Sequence, residues 1–69
     1  MEKTEMIELL RKMEKYAKAV AKIFEERGKE ADAEFYRGEA SGLRSAIYML
    51  ESEEFALNQA KIFEDYEAD

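Results

Sequence analysis

Apolar residues near the middle of the chain fall on two stripes of one helix. Wound at about 100° per residue, the first stripe contains Tyr36, Ala40, Leu43, Ile47 and Leu50. The second lies roughly 100–140° away and contains Ala31, Phe35, Gly38, Gly42, Ala46 and Met49. A helix that packs against one neighbour needs only one apolar stripe. The pattern therefore predicts a helix over about 30–51 that meets two neighbours.

A seven-residue pattern predicts an earlier helix over about 5–27. Its apolar positions are Met6, Met13 and Val20, then Leu9, Tyr16 and Ile23, then Leu10, Ala17 and Phe24. Together they form one broad face, which we expect to be the core-facing side of this helix. Thr4 is the expected N-cap, and Gly28 is the expected left-handed residue after the last turn.

The short break at Gly28 predicts that the two long helices form an antiparallel hairpin. After Leu50 the apolar phase changes, and the next face consists of Phe55, Gln59, Ile62, Phe63 and Tyr66. Either Ser52 caps a separate helix over about 53–66, which we favour, or one long helix changes partners along its length. We expect residues 1–69 to form a single all-α domain: a long antiparallel helical hairpin plus a short C-terminal helix.

Composition sets how such a domain can become stable. The chain has 69 residues and no Cys, His or Pro, so no disulfide and no Cys/His zinc site can hold it together. A domain this short buries only about 60% of its unfolded surface. We therefore expect homodimerisation into a helical bundle of coiled-coil type. The absence of Cys and of a long apolar run favours a cytoplasmic protein without a membrane partner.

Small residues on the second stripe of the second helix suggest where copies meet. Gly38 and Gly42 each cost a helix about 1 kcal/mol relative to Ala, and close approach of another helix would explain them. The predicted oligomer interface contains Phe35, Gly38, Gly42, Ser45, Ala46 and Met49. The first stripe would then contact the first helix, although the reverse assignment is also compatible with the pattern.

Several other residues are candidates for binding a partner. Glu39 lies between the two stripes, where a carboxylate is either a polar specificity element or is reached by water. Tyr48 and Phe55 lie off the main stripes and are candidates for an exposed patch. A basic stripe, Arg11, Lys15, Lys18 and Lys22, could grip phosphates or an acidic partner. It could also form an ordinary solvated face, or pair with the acidic tail of the same or a neighbouring chain.

The formal net charge of −6 arises in the C-terminal tail, because acids and bases cancel over residues 1–50. From residue 51 onward the acids are Glu51, Glu53, Glu54, Glu64, Asp65, Glu67 and Asp69, against Lys61 alone. This acidic tail could mimic nucleic acid on a basic target or simply aid solubility. An acidic protein whose basic stripe has no interleaved aromatics is a poor candidate for nucleic-acid binding.

Nothing in the sequence indicates catalysis. Glutamate pairs three residues apart occur, but no matching motif lies on a facing helix to complete a magnesium site. There is no Gly-rich phosphate loop and no nucleophile–base pair. We expect no enzyme activity, no metal and no cofactor.

The segment from Phe24 to Leu50, FEERGKEADAEFYRGEASGLRSAIYML, resembles a pattern in small helical proteins of Gram-positive phages and prophages. The resemblance lies in the hinge Arg27-Gly28-Lys29 and in Tyr36 to Leu50, with Gly38, Gly42, Leu43, Ala46 and Ile47. It covers about two fifths of the chain, and no functional residues carry over. It implies a phage accessory protein that inhibits a host protein in the host cytoplasm.

The sequence thus favours a small protein–protein interaction module that binds itself and a protein target. A purely structural oligomeriser is the first alternative, with its apolar surface used entirely in self-contact. Nucleic-acid binding through the basic stripe of the first helix is the second alternative.

Overall fold

A computed structural model describes residues 1–67 and contains three α-helices. Helix α1 spans Lys3–Glu26, α2 spans Glu30–Glu51 and α3 spans Glu53–Glu67. The first two pack along their length as a hairpin, while α3 contacts α2. The molecule is thin, with principal extents of 41 × 36 × 15 Å, since the hairpin is one layer of two helices. The all-α hairpin with a separate third helix is confirmed; Asp69 of the acidic tail lies outside the described residues.

The turn between α1 and α2 is set by a glycine. Gly28 has φ +73°, a left-handed backbone conformation that is unfavourable for residues with a Cβ atom. Its N–H donates to the carbonyl of Glu25 at 3.0 Å, and the N–H of Lys29 donates to the carbonyl of Phe24 at 2.9 Å. These two bonds form a Schellman motif, which satisfies carbonyls left free at the end of α1.

The other two helix boundaries have different causes. Ser52 ends α2 and caps α3, because its hydroxyl accepts a hydrogen bond from the N–H of Phe55 at 3.2 Å. The expectation for Thr4 was wrong. Helix α1 begins at Lys3 with Glu2 at the cap position, where the Glu2 carbonyl accepts from the N–H of Met6 at 3.0 Å. Thr4 therefore lies within the first turn.

The core of the hairpin is made mostly of alanine. Its buried residues are Ala17, Ala21, Ala33, Ala40 and Ile47. Half-buried residues on the same faces extend it: Ile7, Leu10 and Phe24 from α1, with Tyr36, Leu43 and Leu50 from α2. Small side chains let the two backbones approach closely but enclose little apolar volume. The stripe of α2 that faces α1 is thus the one containing Ala40, Leu43 and Ile47.

Candidate protein interface

One side of the hairpin is held by ion pairs between α1 and α2. Arg11 pairs with Glu51 at 2.6 Å, Glu14 with Arg44 at 3.0 Å, and Glu25 with Arg37 at 2.8 Å. Most of these side chains are about half exposed, so each pair contributes little stability by itself. Together they link α1 to α2 at three points along the hairpin.

Glu14 is the most enclosed of these charges, with a side chain only 15% exposed. It occupies a position in the seam between the helices, in the same seven-residue frame as Ile7 and Ala21. The hydrogen bond from Arg44 is the main reason that the pKa of Glu14 is lowered, with Lys18 at 3.2 Å acting in the same direction. At the other end of the hairpin, the hydrogen bond to Glu25 raises the pKa of Arg37.

The ion pairs involve two residues of the basic stripe. Arg11 and Lys18 are engaged by Glu51 and by Glu14. Lys15 and Lys22 are exposed and form no ion pair within residues 1–67. The stripe is therefore partly neutralised by acids of the same chain, which lowers its electrostatic attraction for phosphates.

A second apolar stripe on α1 faces away from α2. Its exposed members are Met6, Leu9, Met13, Tyr16 and Ile23, between 38% and 69% exposed, with Val20 half-buried among them. The expectation that this broad face of α1 is the core-facing side was wrong for these five residues. Only its third set, Leu10, Ala17 and Phe24, lies against α2. Helix α1 therefore has two apolar stripes, as α2 does.

The exposed stripe of α2 contains the residues predicted as an oligomer interface. Phe35 is 66% exposed and Met49 is 48% exposed. Gly38, Gly42 and Ser45 are exposed, and Ala46 is half-buried. A Cβ atom built on Gly38 or Gly42 would meet nothing within 4 Å. No other part of the described chain approaches these glycines, so α2 presents a shallow, open stretch.

The two exposed stripes lie on the same side of the hairpin. Viewed from the N-terminus of each helix, the exposed stripe is rotated anticlockwise from the buried one, by about 100° on α1 and about 140° on α2. Because the helices are antiparallel, the same sense of rotation brings both stripes to one side. The ion-paired residues are rotated clockwise and occupy the opposite side. We call the side that carries both exposed stripes the apolar face.

The remaining candidates are distributed as follows. Glu39 is exposed and lies at the edge of the apolar face, next to the seam. Tyr48 is half exposed on the ion-paired side and packs edge-on against Phe55 of α3, with ring centroids 5.7 Å apart. These two aromatics therefore fix the start of α3 on α2 instead of forming a free patch.

Beyond its first turns, α3 is an exposed arm. Its residues Leu57, Ile62, Phe63 and Tyr66 are between 59% and 80% exposed. Ile62, Phe63 and Tyr66 share one side of the helix, and Glu64, Asp65 and Glu67 adjoin them. The arm therefore combines an apolar side with three of the seven acidic residues of the tail.

The part of the chain that the structure describes offers little for small ligands. No cavity opens within it, and none of its acidic side chains gather into a group able to hold a metal ion. Neither α1, α2 nor α3 combines the length and the apolar character needed to cross a bilayer.

The fold and surface define a thin helical hairpin with one apolar face and an acidic arm. Comparison with known proteins gave no match to a family model, a curated protein or a solved structure. The function therefore has to be argued from the surface of this chain.

Proposed function

We propose that the protein is a small protein–protein interaction module that works as a homodimer. The observation that carries this proposal is the apolar face, formed by exposed stripes of both long helices. Seven large side chains contribute to it: Met6, Leu9, Met13, Tyr16, Ile23, Phe35 and Met49.

The size of the apolar face supports a second copy as its occupant. Taking roughly 200 Å² for a fully exposed large side chain, these seven exposures give roughly 700 Å² per chain. The largest apolar patch of a typical monomer is about 300–600 Å², and a standard interface buries about 800 Å² per partner. The face is thus larger than most monomers expose and close to what a stable dimer needs.

The weak core of the single chain supports the same proposal. Four of its five buried residues are alanines, and each contributes little apolar area. Stacking two hairpins face to face would make a four-helix bundle with large side chains at its centre. Stability would then come from the contact between chains as well as from the hairpin.

The mass of the purified protein in solution, measured by light scattering, tests this proposal. We expect a dimer at micromolar concentration, and expect Met13→Glu to dissociate it because the charge would lie in the apolar face. Lys15→Glu is the matched control, since it places a carboxylate two residues away on the outer surface of α1. A monomeric wild type, or equal masses for both variants, would contradict the proposal.

The exposed side of α3 distinguishes an interaction module from a purely structural oligomeriser. In the proposed dimer Ile62, Phe63 and Tyr66 remain available to a protein target, including the host protein that the phage resemblance implies. We expect the dimer to bind the dye ANS, and expect Phe63→Ser to reduce the fluorescence without changing the mass. A dimer that binds no dye would favour the structural oligomeriser.

A further inference from the structure

The contacts between α1 and α2 determine which residues lie at the same level of the hairpin. Glu14 lies level with Arg44, which it contacts at 3.0 Å, and Phe24 stacks on Tyr36 with ring centroids 5.7 Å apart. Counting from Glu14 and Arg44 along antiparallel helices places Tyr16 level with Gly42. Tyr36 lies two residues beyond the position level with Phe24, and the two rings still meet because helical side chains lean toward the N-terminus of their own helix. The apolar face can therefore be described layer by layer.

Each layer of the apolar face pairs one residue of the α1 stripe with one of the α2 stripe. Starting at the end of the hairpin opposite the turn at Gly28, the layers are Leu9 with Met49, Met13 with Ser45, Tyr16 with Gly42, Val20 with Gly38, and Ile23 with Phe35. In each of the three middle layers the side chain on α1 is larger than the one on α2. In the middle of the apolar face the side chains of α1 therefore project further from the surface than those of α2.

A second copy can stack on this face in two symmetric ways. If the two-fold axis runs parallel to the helices, α1 of each chain covers α2 of the other and every layer stays level. If the axis runs across the helices, α1 covers α1 and α2 covers α2. The second way would oppose the large Met13 and Tyr16 to each other and leave glycine facing glycine. Cores pack well when large residues face small ones.

We propose that α1 of each chain lies across α2 of the other, with Tyr16 seated on Gly42, Met13 on Ser45 and Val20 on Gly38. This arrangement rests on the proposed homodimer and assigns the occupant of the shallow stretch on α2. The space above Gly42 and Gly38 is open in the single chain, since a Cβ there meets nothing within 4 Å. In this arrangement glycine leaves room for the partner helix, which explains its presence despite a cost of about 1 kcal/mol in a helix.

Cysteine cross-linking tests the arrangement, because the chain has no cysteine of its own. Tyr16→Cys and Gly42→Cys chains are purified separately, mixed in equal amounts, exchanged and oxidised. A disulfide requires Cα atoms within about 7 Å, so it reports direct contact. We expect a disulfide-linked dimer in the mixture, up to the half that random pairing allows, and none in either variant alone.

Lys15→Cys mixed with Ser41→Cys is the matched control, since both residues neighbour the tested positions but point away from the apolar face. Light scattering on the reduced mixtures tests whether the homodimer forms, separately from how its helices are arranged. Self-linking of Gly42→Cys alone, or no mixed disulfide in a sample that is dimeric, would overturn the arrangement and leave the homodimer intact. A wild type that stays monomeric would overturn the homodimer and the arrangement with it.

Discussion

Replacing Gly42 by leucine separates the stability of the single chain from that of the dimer. Within one chain the new side chain has room, because a Cβ at this position has no neighbour within 4 Å. Leucine is also the better helix former, by roughly 0.8 kcal/mol relative to glycine. If the protein worked as a monomer, Gly42→Leu would therefore be neutral or stabilising.

In the proposed dimer the same substitution meets the Tyr16 side chain of the partner. Inserting large groups into a packed contact typically costs about 1–3 kcal/mol, and a symmetric dimer contains the contact twice. The helix-propensity gain is present in the free and the associated chain, so it cancels from the association constant. We expect association to weaken by roughly 2–6 kcal/mol, which is about 30-fold or more.

Sedimentation or light scattering over a dilution series gives the association constant, and circular dichroism of the dissociated chain gives its helix content. Ser41→Leu is the matched control, because residue 41 is exposed on the outer side of α2. We expect that variant to associate like the wild type. Refutation would be a Gly42→Leu protein that dimerises with unchanged affinity, since the glycine would then not lie under a partner.

Three further predictions concern the hairpin and the arm. Gly28→Ala should destabilise the fold by about 1–2 kcal/mol, measured by urea unfolding, because φ is +73° there; unchanged stability would contradict the role of the Schellman turn. Glu14→Gln should lower the urea midpoint at pH 7, because the charge-assisted bonds to Arg44 and Lys18 are lost. Since the native pKa of Glu14 is lowered, the stability from its ionised form is present above about pH 4.5 and disappears as the pH falls through the native pKa. The difference from the wild type should therefore shrink at pH 3, and a constant difference would refute this reasoning. Ser52→Ala should weaken α3 by about 1 kcal/mol, seen as faster amide exchange in α3 with α1 and α2 unchanged; equal exchange rates would show that the cap contributes nothing.

The boundaries of α2 and the separation of α3 could be predicted from local chemistry. Gly28 allows a backbone conformation that other residues avoid, and Ser52 supplies a hydroxyl where an apolar phase ends. Both signals act within a few residues, so they can be read without knowing the rest of the fold. Thr4 is a favourable N-cap residue by the same local criteria. Helix α1 nevertheless begins before it, at Lys3, because the Glu2 carbonyl accepts a hydrogen bond from the N–H of Met6.

The orientation of α1 could not be predicted in the same way. Its most hydrophobic stripe, which includes Met13 and Tyr16, is exposed, and a stripe interrupted by Glu14 faces α2. When α1 is considered alone, the carboxylate of Glu14 argues against burial of the stripe that contains it. Arg44, thirty residues later in the chain, satisfies it. The partner that decides which stripe is buried lies on another helix, so periodicity within α1 could not identify it.

The predicted interface on α2 is a different case. Its residues are exposed together on one face, but exposure leaves open what covers them. The contribution of α1 to that face, which the sequence pattern had assigned to the core, enlarges it to roughly 700 Å². The role of both stripes as an interface remains a prediction.

The solution mass of the wild-type protein across a dilution series is the most direct test. We predict twice the mass of a single chain, constant down to micromolar concentration, because the apolar face is larger than the patches that monomers ordinarily expose. A mass equal to one chain at all concentrations would contradict the account and would leave the apolar face open to a different protein.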